Sequence, residues 1–120
     1  MDGKVFMGGA GMVPFLEAVK DGPMGNYLVM TDTPQMYDRM VGLMPTFALK
    51  YGGDVELDRK RRIILYDGKP IIVSTGGLGK GLTICAVLIH GDFGWRLDRV
   101  EELRQEAMKI IPLAGGITPP

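Results

Sequence analysis

The glycine-rich segment from Ser74 to Thr83 holds the residue types best suited to binding an anion. It contains four glycines within six residues, together with Lys80 and hydroxyl side chains. Glycines let a ligand approach the main chain closely, and successive N–H groups form concavities that bind anions. A phosphate or a phosphorylated small molecule is therefore the first ligand to consider, although the same residues also suit a plain turn.

A second glycine cluster, residues 8–11, lies between a predicted strand and a predicted helix. Such a turn can direct the unpaired N–H groups of a helix N-terminus toward an anion. The dinucleotide fingerprint G-x-G-x-x-G is incomplete, because Pro14 stands where its third glycine belongs. The P-loop pattern around Gly79 and Lys80 is incomplete too, because Gly81 replaces the hydroxyl residue that binds magnesium. The cofactor therefore stays unknown.

Composition limits the classes of function. The chain has 120 residues, of which 46% are hydrophobic and 23% charged, as in globular domains. We assign residues 1–112 to one α/β domain and 113–120 to a C-terminal tail.

The charge balance and the cysteine content limit the partners. Basic and acidic residues number 14 each, which argues against a nucleic-acid partner. Cys85 is the single cysteine, so no intramolecular disulfide forms and no metal site is predicted. Without a leader or a membrane-spanning run, a soluble cytoplasmic protein is expected.

The first half of the chain alternates strand and helix patterns. Residues 4–7 and 27–30 are short apolar runs that read as strands. Helical patterns follow each of them, over residues 13–20 and from Thr33 onward, with Pro45 expected to end or kink the second helix. Strands that alternate with helices in this way predict a parallel sheet with helices on its faces.

The second half begins with a hairpin. Asp67 and Gly68 separate two apolar runs rich in β-branched residues, which is a strong hairpin signal. Residues 55–57 either extend the first arm or form a strand of their own. The run from Leu82 to Ile89 fits either a central strand or a helix, and we favour the helix. A final helix is predicted to start with Asp98 as its N-cap.

These elements predict a three-layer α/β fold, Rossmann-like or phosphorylase-like, with a mostly parallel sheet and one antiparallel hairpin. In such sheets, ligands bind beyond the carboxyl ends of the strands. Three loops meet that description, and they supply the predicted ligand- or phosphate-binding residues. The residues are Gly8, Gly9, Gly11, Thr31, Asp32, Thr75, Gly76, Gly77, Gly79 and Lys80.

Residues 26 to about 90 resemble the amino-terminal part of the uridine phosphorylase/purine nucleoside phosphorylase family. That family has a strand ending in Gly-Asp-Pro, a helix, a hairpin with Asp-Gly-Lys-Pro at its turn, and then Ser-Thr-Gly-x-Gly. Here the corresponding residues are 32–34, the helix over 37–44, residues 67–70 and residues 74–79. The resemblance covers just over half of the chain.

The resemblance implies that Thr31, Asp32 and residues 75–77 lie near a phosphate or a ribose. The chain departs from the family pattern at Met36, where the family has an arginine, and at Lys80, where the glycine loop of the family has no lysine. The residues with which the family recognises the base and the ribose belong to its second half. Phosphorolysis by this chain alone is therefore not expected.

Three functions are compatible with these observations. The first is binding of a phosphorylated or nucleoside-like small molecule through the glycine-rich loops. The second is a non-catalytic subunit or regulator that acts through protein contact. The third is an enzyme of nucleoside or nucleotide metabolism that is active as a homo-oligomer, and the catalytic residues stay unknown. No membrane partner is predicted.

Overall fold

The computed structural model describes residues 4–75, 83–93 and 96–111. Within these residues the chain forms a six-stranded sheet, three α-helices and a short 3₁₀ turn at Gly9–Gly11. The elements in chain order are β1 (Val5–Met7), α1 (Met12–Asp21), β2 (Asn26–Met30), α2 (Met36–Tyr51), β3 (Val55–Asp58), β4 (Ile63–Tyr66), β5 (Lys69–Ser74), β6 (Ile84–Ile89) and α3 (Leu97–Ile110).

The sheet has the strand order β1-β6-β2-β5-β4-β3. The first four strands in that order run parallel to one another, and β4 and β3 extend the sheet as an antiparallel meander. The mostly parallel α/β fold predicted from the sequence is therefore confirmed. The structure adds a second antiparallel hairpin, because residues 55–58 form a strand of their own.

Helices cover both faces of the sheet, which gives the three predicted layers. The side chains of α1 and α2 pack on one face, and those of α3 pack on the other. The core on the first face is built from α1, α2 and inward-facing strand residues, including Phe15, Leu16, Met40, Met44, Tyr27, Ile64, Ile71 and Leu88. The core on the second face contains Leu28, Met30, Ile84, Val87, Ile89, Leu103, Ala107 and Ile111.

The helix favoured for residues 82–89 is wrong, because Ile84–Ile89 form strand β6 in the middle of the parallel part of the sheet. The strand pairs with β1 on one side and with β2 on the other. Both of its faces are covered, so its sequence shows neither the alternation of a half-exposed strand nor the periodicity of a surface helix. A register shift between Asn26 and Tyr27 accommodates Cys85 in this strand.

The hairpin predicted at Asp67 and Gly68 is confirmed. Both residues have positive φ angles, 51° and 79°, as a two-residue type I′ turn requires, and β4 pairs with β5 on either side of it. Lys69 follows the turn and is buried. Its ammonium group donates to carbonyl oxygens at the end of α1.

Two predicted helix boundaries differ from the structure. The second helix begins at Met36 rather than at Thr33, and it continues through Pro45 to Tyr51. Pro45 itself is exposed on this helix, so its ring does not enter the core. The last helix begins at Leu97, so Asp98 lies in its first turn and is not the N-cap. Among the described residues, no helix has the length and apolar character needed to cross a membrane.

Candidate functional site

The loops that follow β2, β5 and β6 meet at the carboxyl edge of the sheet. Main-chain hydrogen bonds fix their relative positions, since the His90 N–H donates to the Met30 carbonyl at 3.1 Å and the Thr31 N–H donates to the Ser74 carbonyl at 3.0 Å. These bonds extend the parallel ladder by one residue beyond the strands. The side chains that follow are therefore held close together by the sheet itself.

The loop from Thr31 to Thr33 is held by hydrogen bonds that its own side chains form. The Thr33 N–H donates to the Thr31 hydroxyl oxygen at 3.0 Å, which is a local turn typical of threonine. The Thr33 hydroxyl is shared between the Asp32 and Asp92 carboxylates, at 3.1 and 3.2 Å. The Asp92 N–H donates to Asp32 Oδ1 at 2.8 Å and lies 3.1 Å from the Thr33 hydroxyl oxygen. The β2 and β6 loops are therefore joined by a network that orients the Asp32 carboxylate.

Gly91 permits this contact between the two loops. A Cβ atom at this position would lie 2.4 Å from Asp32 Oδ1 and 2.8 Å from the Thr31 hydroxyl oxygen, both too close for any side chain. A glycine is therefore required at position 91, because the Asp32 and Thr31 side chains lie too close to its backbone to leave room for a Cβ atom. Any larger residue would displace the Asp32 carboxylate or the Thr31 hydroxyl.

A cleft of about 120 Å³ opens beside this network, on the face of the sheet that α3 covers. Polar groups from the strand ends form one side of it, and the first turn of α3 forms the other. The lining residues are Met30, Thr31, Asp32, Thr75, Phe93, Arg96, Arg99 and Leu103. Two arginines, two threonines and one aspartate thus line the same small space.

The two arginines of the cleft differ in their partners. Arg99 forms an exposed ion pair with Glu102, one turn along α3, at 3.3 Å. The Arg96 side chain is exposed, and no hydrogen bond or ion pair engages it within the part of the chain that the structure describes. Neither arginine pairs with Asp32 there. No described residue therefore uses the guanidinium donors of Arg96.

An exposed ion pair continues the network away from the cleft. Arg39 of α2 donates to Asp92 Oδ2 at 3.2 Å. The hydrogen bond from Arg39, its positive charge and the hydrogen bond from Thr33 together lower the pKa of the Asp92 carboxyl below its ordinary value. Asp92 therefore carries its charge throughout the neutral pH range and links α2 to the loop that holds Asp32.

The structure brings together three of the residues predicted to bind a ligand. Thr31, Asp32 and Thr75 all line the cleft, although they follow different strands. The predicted residues of the glycine segment lie outside the described residues. These are Gly76, Gly77, Gly79 and Lys80.

The glycines after β1 do not line this cleft. Gly8 has a φ angle of 65°, and its N–H donates to the Ile89 carbonyl. Gly11 packs on Phe6, because a Cβ at this position would lie 3.1 Å from two atoms of that residue. Gly9 lies between them in the 3₁₀ turn that leads into α1. This turn and the cleft are therefore separate places on the carboxyl edge.

Arg96, Arg99, Gly91 and Asp92 were absent from the residues predicted to bind a ligand. A signal for them exists in the sequence, once residues 84–89 are recognised as a parallel strand. The loop after such a strand lies at the carboxyl edge, and the next helix starts there. Two arginines spaced three apart at that helix start then face the same edge.

Among residues 4–75, 83–93 and 96–111, no group of three or more His, Cys, Asp or Glu side chains is placed to hold a metal ion. Among the described residues that line the cleft, Asp32 is the one acidic residue. The arginines and threonines of the cleft instead suit an anion. Comparisons of the chain with protein-family models, with curated proteins and with solved structures found no match.

Proposed function

We propose that the cleft at the carboxyl edge binds the phosphate group of a phosphorylated, nucleoside-like small molecule. The observation that carries the proposal is the convergence of Arg96 and Arg99 with the hydroxyl residues Thr31 and Thr75 around one small space. Guanidinium groups match the geometry of phosphate oxygens and form short, charge-assisted hydrogen bonds with them. The strongest single point in favour is that no described residue engages the guanidinium donors of Arg96.

The size of the cleft supports a small anionic group rather than a whole ligand. A volume of 120 Å³ holds roughly four water molecules, at about 30 Å³ each. Sites that enclose drug-sized ligands are larger, about 300 Å³ or more. A phosphate group therefore fits inside, and the rest of the molecule extends along the open side of the cleft.

The resemblance to the uridine phosphorylase/purine nucleoside phosphorylase family supports the same proposal independently of the arginines. It implies that Thr31, Asp32 and Thr75 lie near a phosphate or a ribose, and all three residues line the cleft. Met36 replaces the arginine of the family pattern. In our proposal, Arg96 and Arg99 supply the positive charge from α3 instead.

Ligand-dependent stabilisation tests the proposal. Inorganic phosphate, ribose 5-phosphate, uridine and uridine 5′-monophosphate would be titrated at constant ionic strength while Tm is recorded. A ligand that binds only the folded state raises Tm with its concentration. We expect the phosphorylated compounds to raise Tm, and uridine to do so less. Calorimetric titration would then give Kd for each compound.

Charge-matched variants locate the site. Arg96→Gln and Arg99→Gln each remove one positive charge from the cleft. Arg104→Gln removes the same charge from an exposed position on the same helix, where the arginine pairs with Glu101. We expect the first two variants to raise Kd for ribose 5-phosphate about tenfold or more, as charge-assisted hydrogen bonds are lost, and Arg104→Gln to leave it unchanged. Equal effects in all three variants, or no binding to the wild-type protein, would refute the proposal.

A further inference from the structure

The Asp32 carboxylate restricts which phosphorylated molecules suit the cleft. It lines the same space as Arg96 and Arg99 but forms no ion pair with either of them among the described residues. Instead, the Asp92 N–H and the Thr33 hydroxyl hold its Oδ1 atom. The cleft thus keeps a positive side and a negative side, each free of the other.

A phosphate alone does not satisfy such a cleft. An ionised carboxylate only accepts hydrogen bonds, and it repels the oxygens of a second anion nearby. The Oδ2 atom of Asp32 has no hydrogen-bond donor in the described part of the chain. A ligand that fills the cleft well therefore presents a hydrogen-bond donor to Asp32 and its phosphate to the arginines.

We infer that Asp32 accepts a hydrogen bond from a hydroxyl group close to the phosphate, so that the ligands are phosphate esters of polyols or sugars. The inference rests on the proposed function. Gly91 and Asp92 act as positioning residues: the glycine lets the β6 loop approach, and the Asp92 N–H then holds the carboxylate in place. The β6 loop thereby sets the selectivity of a site whose charge comes from α3.

A pair of ligands matched in size tests this inference. Glycerol 3-phosphate and n-propyl phosphate have the same three-carbon chain, and only the first carries hydroxyl groups. Calorimetric titration of the wild-type protein should give a Kd about tenfold lower for glycerol 3-phosphate, as expected for one hydrogen bond to a charged acceptor. Phosphoethanolamine should bind more weakly than glycerol 3-phosphate, because Arg96 and Arg99 line the same cleft and repel its ammonium group.

The Asp32→Asn variant tests the same inference from the side of the protein, because it replaces a hydrogen-bond acceptor with a donor at one atom. With its oxygen held by Asp92 N–H, the amide places an NH₂ donor where Oδ2 was, and the negative charge is gone. We expect the affinity ratio of the two ligands to fall below about twofold and n-propyl phosphate to bind more tightly than to the wild type. Asp38→Asn, on the exposed side of the first turn of α2, is the matched control and should preserve the ratio.

The outcomes separate this inference from the proposed function. Equal affinity of the wild type for the two esters, or an unchanged ratio in Asp32→Asn, would overturn the role of Asp32 while phosphate binding through Arg96 still stands. A tighter complex with phosphoethanolamine than with glycerol 3-phosphate would also overturn it, in favour of an ammonium group. Failure of every phosphate ester to bind would overturn both proposals together.

Discussion

Lys69 and Arg96 are cations at opposite edges of the same sheet, and their surroundings differ in one decisive respect. The Lys69 ammonium group is buried at the amino end of β5 and donates to the carbonyl oxygens of Val19, Lys20 and Gly22, at 2.6, 2.7 and 2.9 Å. An ammonium group has three donors, so this set is complete. Arg96 lies at the carboxyl edge, beside the cleft, and none of its guanidinium donors is engaged by the described residues.

The difference separates a structural cation from a binding one. Lys69 satisfies the unpaired carbonyl groups at the end of α1 and opposes the negative end of its helix dipole, so its charge is used within the fold. Among residues 4–75, 83–93 and 96–111, the charge of Arg96 has no such use. We therefore expect substitutions at the first site to reduce stability and substitutions at the second to reduce ligand affinity.

The largest effect is expected for Lys69→Met. The methionine retains most of the buried aliphatic volume but leaves three carbonyl oxygens without their donor, in a place where only 7% of the lysine surface is exposed. Because hydrogen bonds to charged groups and the desolvation of orphaned carbonyls both contribute, the free energy of unfolding should fall by about 3 kcal/mol. Urea denaturation followed by circular dichroism measures it.

Lys60→Met serves as the control for this prediction, because Lys60 is exposed in the turn between β3 and β4. It removes the same charge and should change the free energy of unfolding by less than about 0.5 kcal/mol. Folded Lys69→Met should still bind ribose 5-phosphate with the Kd of the wild type. An unaltered midpoint of denaturation for Lys69→Met would show that the comparison between the two cations is wrong.

The surroundings of Lys69 and of Arg96 also differ in how much of them the sequence predicts. The turn beside Lys69 depends on local chemistry, since an Asp-Gly pair adopts positive φ angles readily, and the hairpin was predicted correctly. The partners of Lys69 come from α1, about fifty residues earlier, and no local pattern indicates them. In the same way, β6 is defined by pairing with β1 and β2 on both sides, which a short apolar run does not reveal.

At the carboxyl edge, topology alone was enough to predict Thr31, Asp32 and Thr75 as neighbours, because each follows a parallel strand. The arginines were missed for a connected reason. Because a helix was predicted for residues 82–89, nothing placed the start of α3 at this edge. The wrong prediction for the central strand β6 is therefore the reason that the arginines at the start of α3 were not predicted to line the cleft.

An intermediate effect is expected for Gly91→Ala. The new Cβ would displace the Asp32 carboxylate, with which it would overlap at 2.4 Å, and so break the hydrogen bond from Asp92 N–H. The free energy of unfolding should fall by about 1–2 kcal/mol, as for overpacking that a side chain partly relieves. The preference for glycerol 3-phosphate over n-propyl phosphate should be lost, because Asp32 is no longer held in place.

Gly42→Ala is the matched control for Gly91→Ala. Gly42 is exposed within α2, and a Cβ there would meet no atom within 4 Å. Alanine favours the helix over glycine, so this variant should gain up to about 1 kcal/mol in stability and keep the wild-type ligand preference. The same sign of change at both glycines would contradict the close approach that we assign to Gly91.

The smallest effect on stability is expected at the ion pair between Arg39 and Asp92. Both side chains are exposed, to 49% and 67% of their surface. Because the pKa of Asp92 is lower in the folded protein than its ordinary value of 3.8, ionised Asp92 favours the folded state at neutral pH. This contribution is present above the unfolded pKa and is lost as the pH falls below 3.8 toward the folded value. Arg39→Gln should raise the pKa of Asp92, as a carboxyl ¹³C NMR titration would show.

Arg104→Gln is the control. It should instead raise the pKa of Glu101, which Arg104 and Gln105 hold at about 2, and leave the pKa of Asp92 unchanged. A pKa of Asp92 that does not respond to Arg39→Gln would remove α2 from the network that positions Asp32, and the β6 loop would then be held by the Asp32 and Thr33 contacts alone.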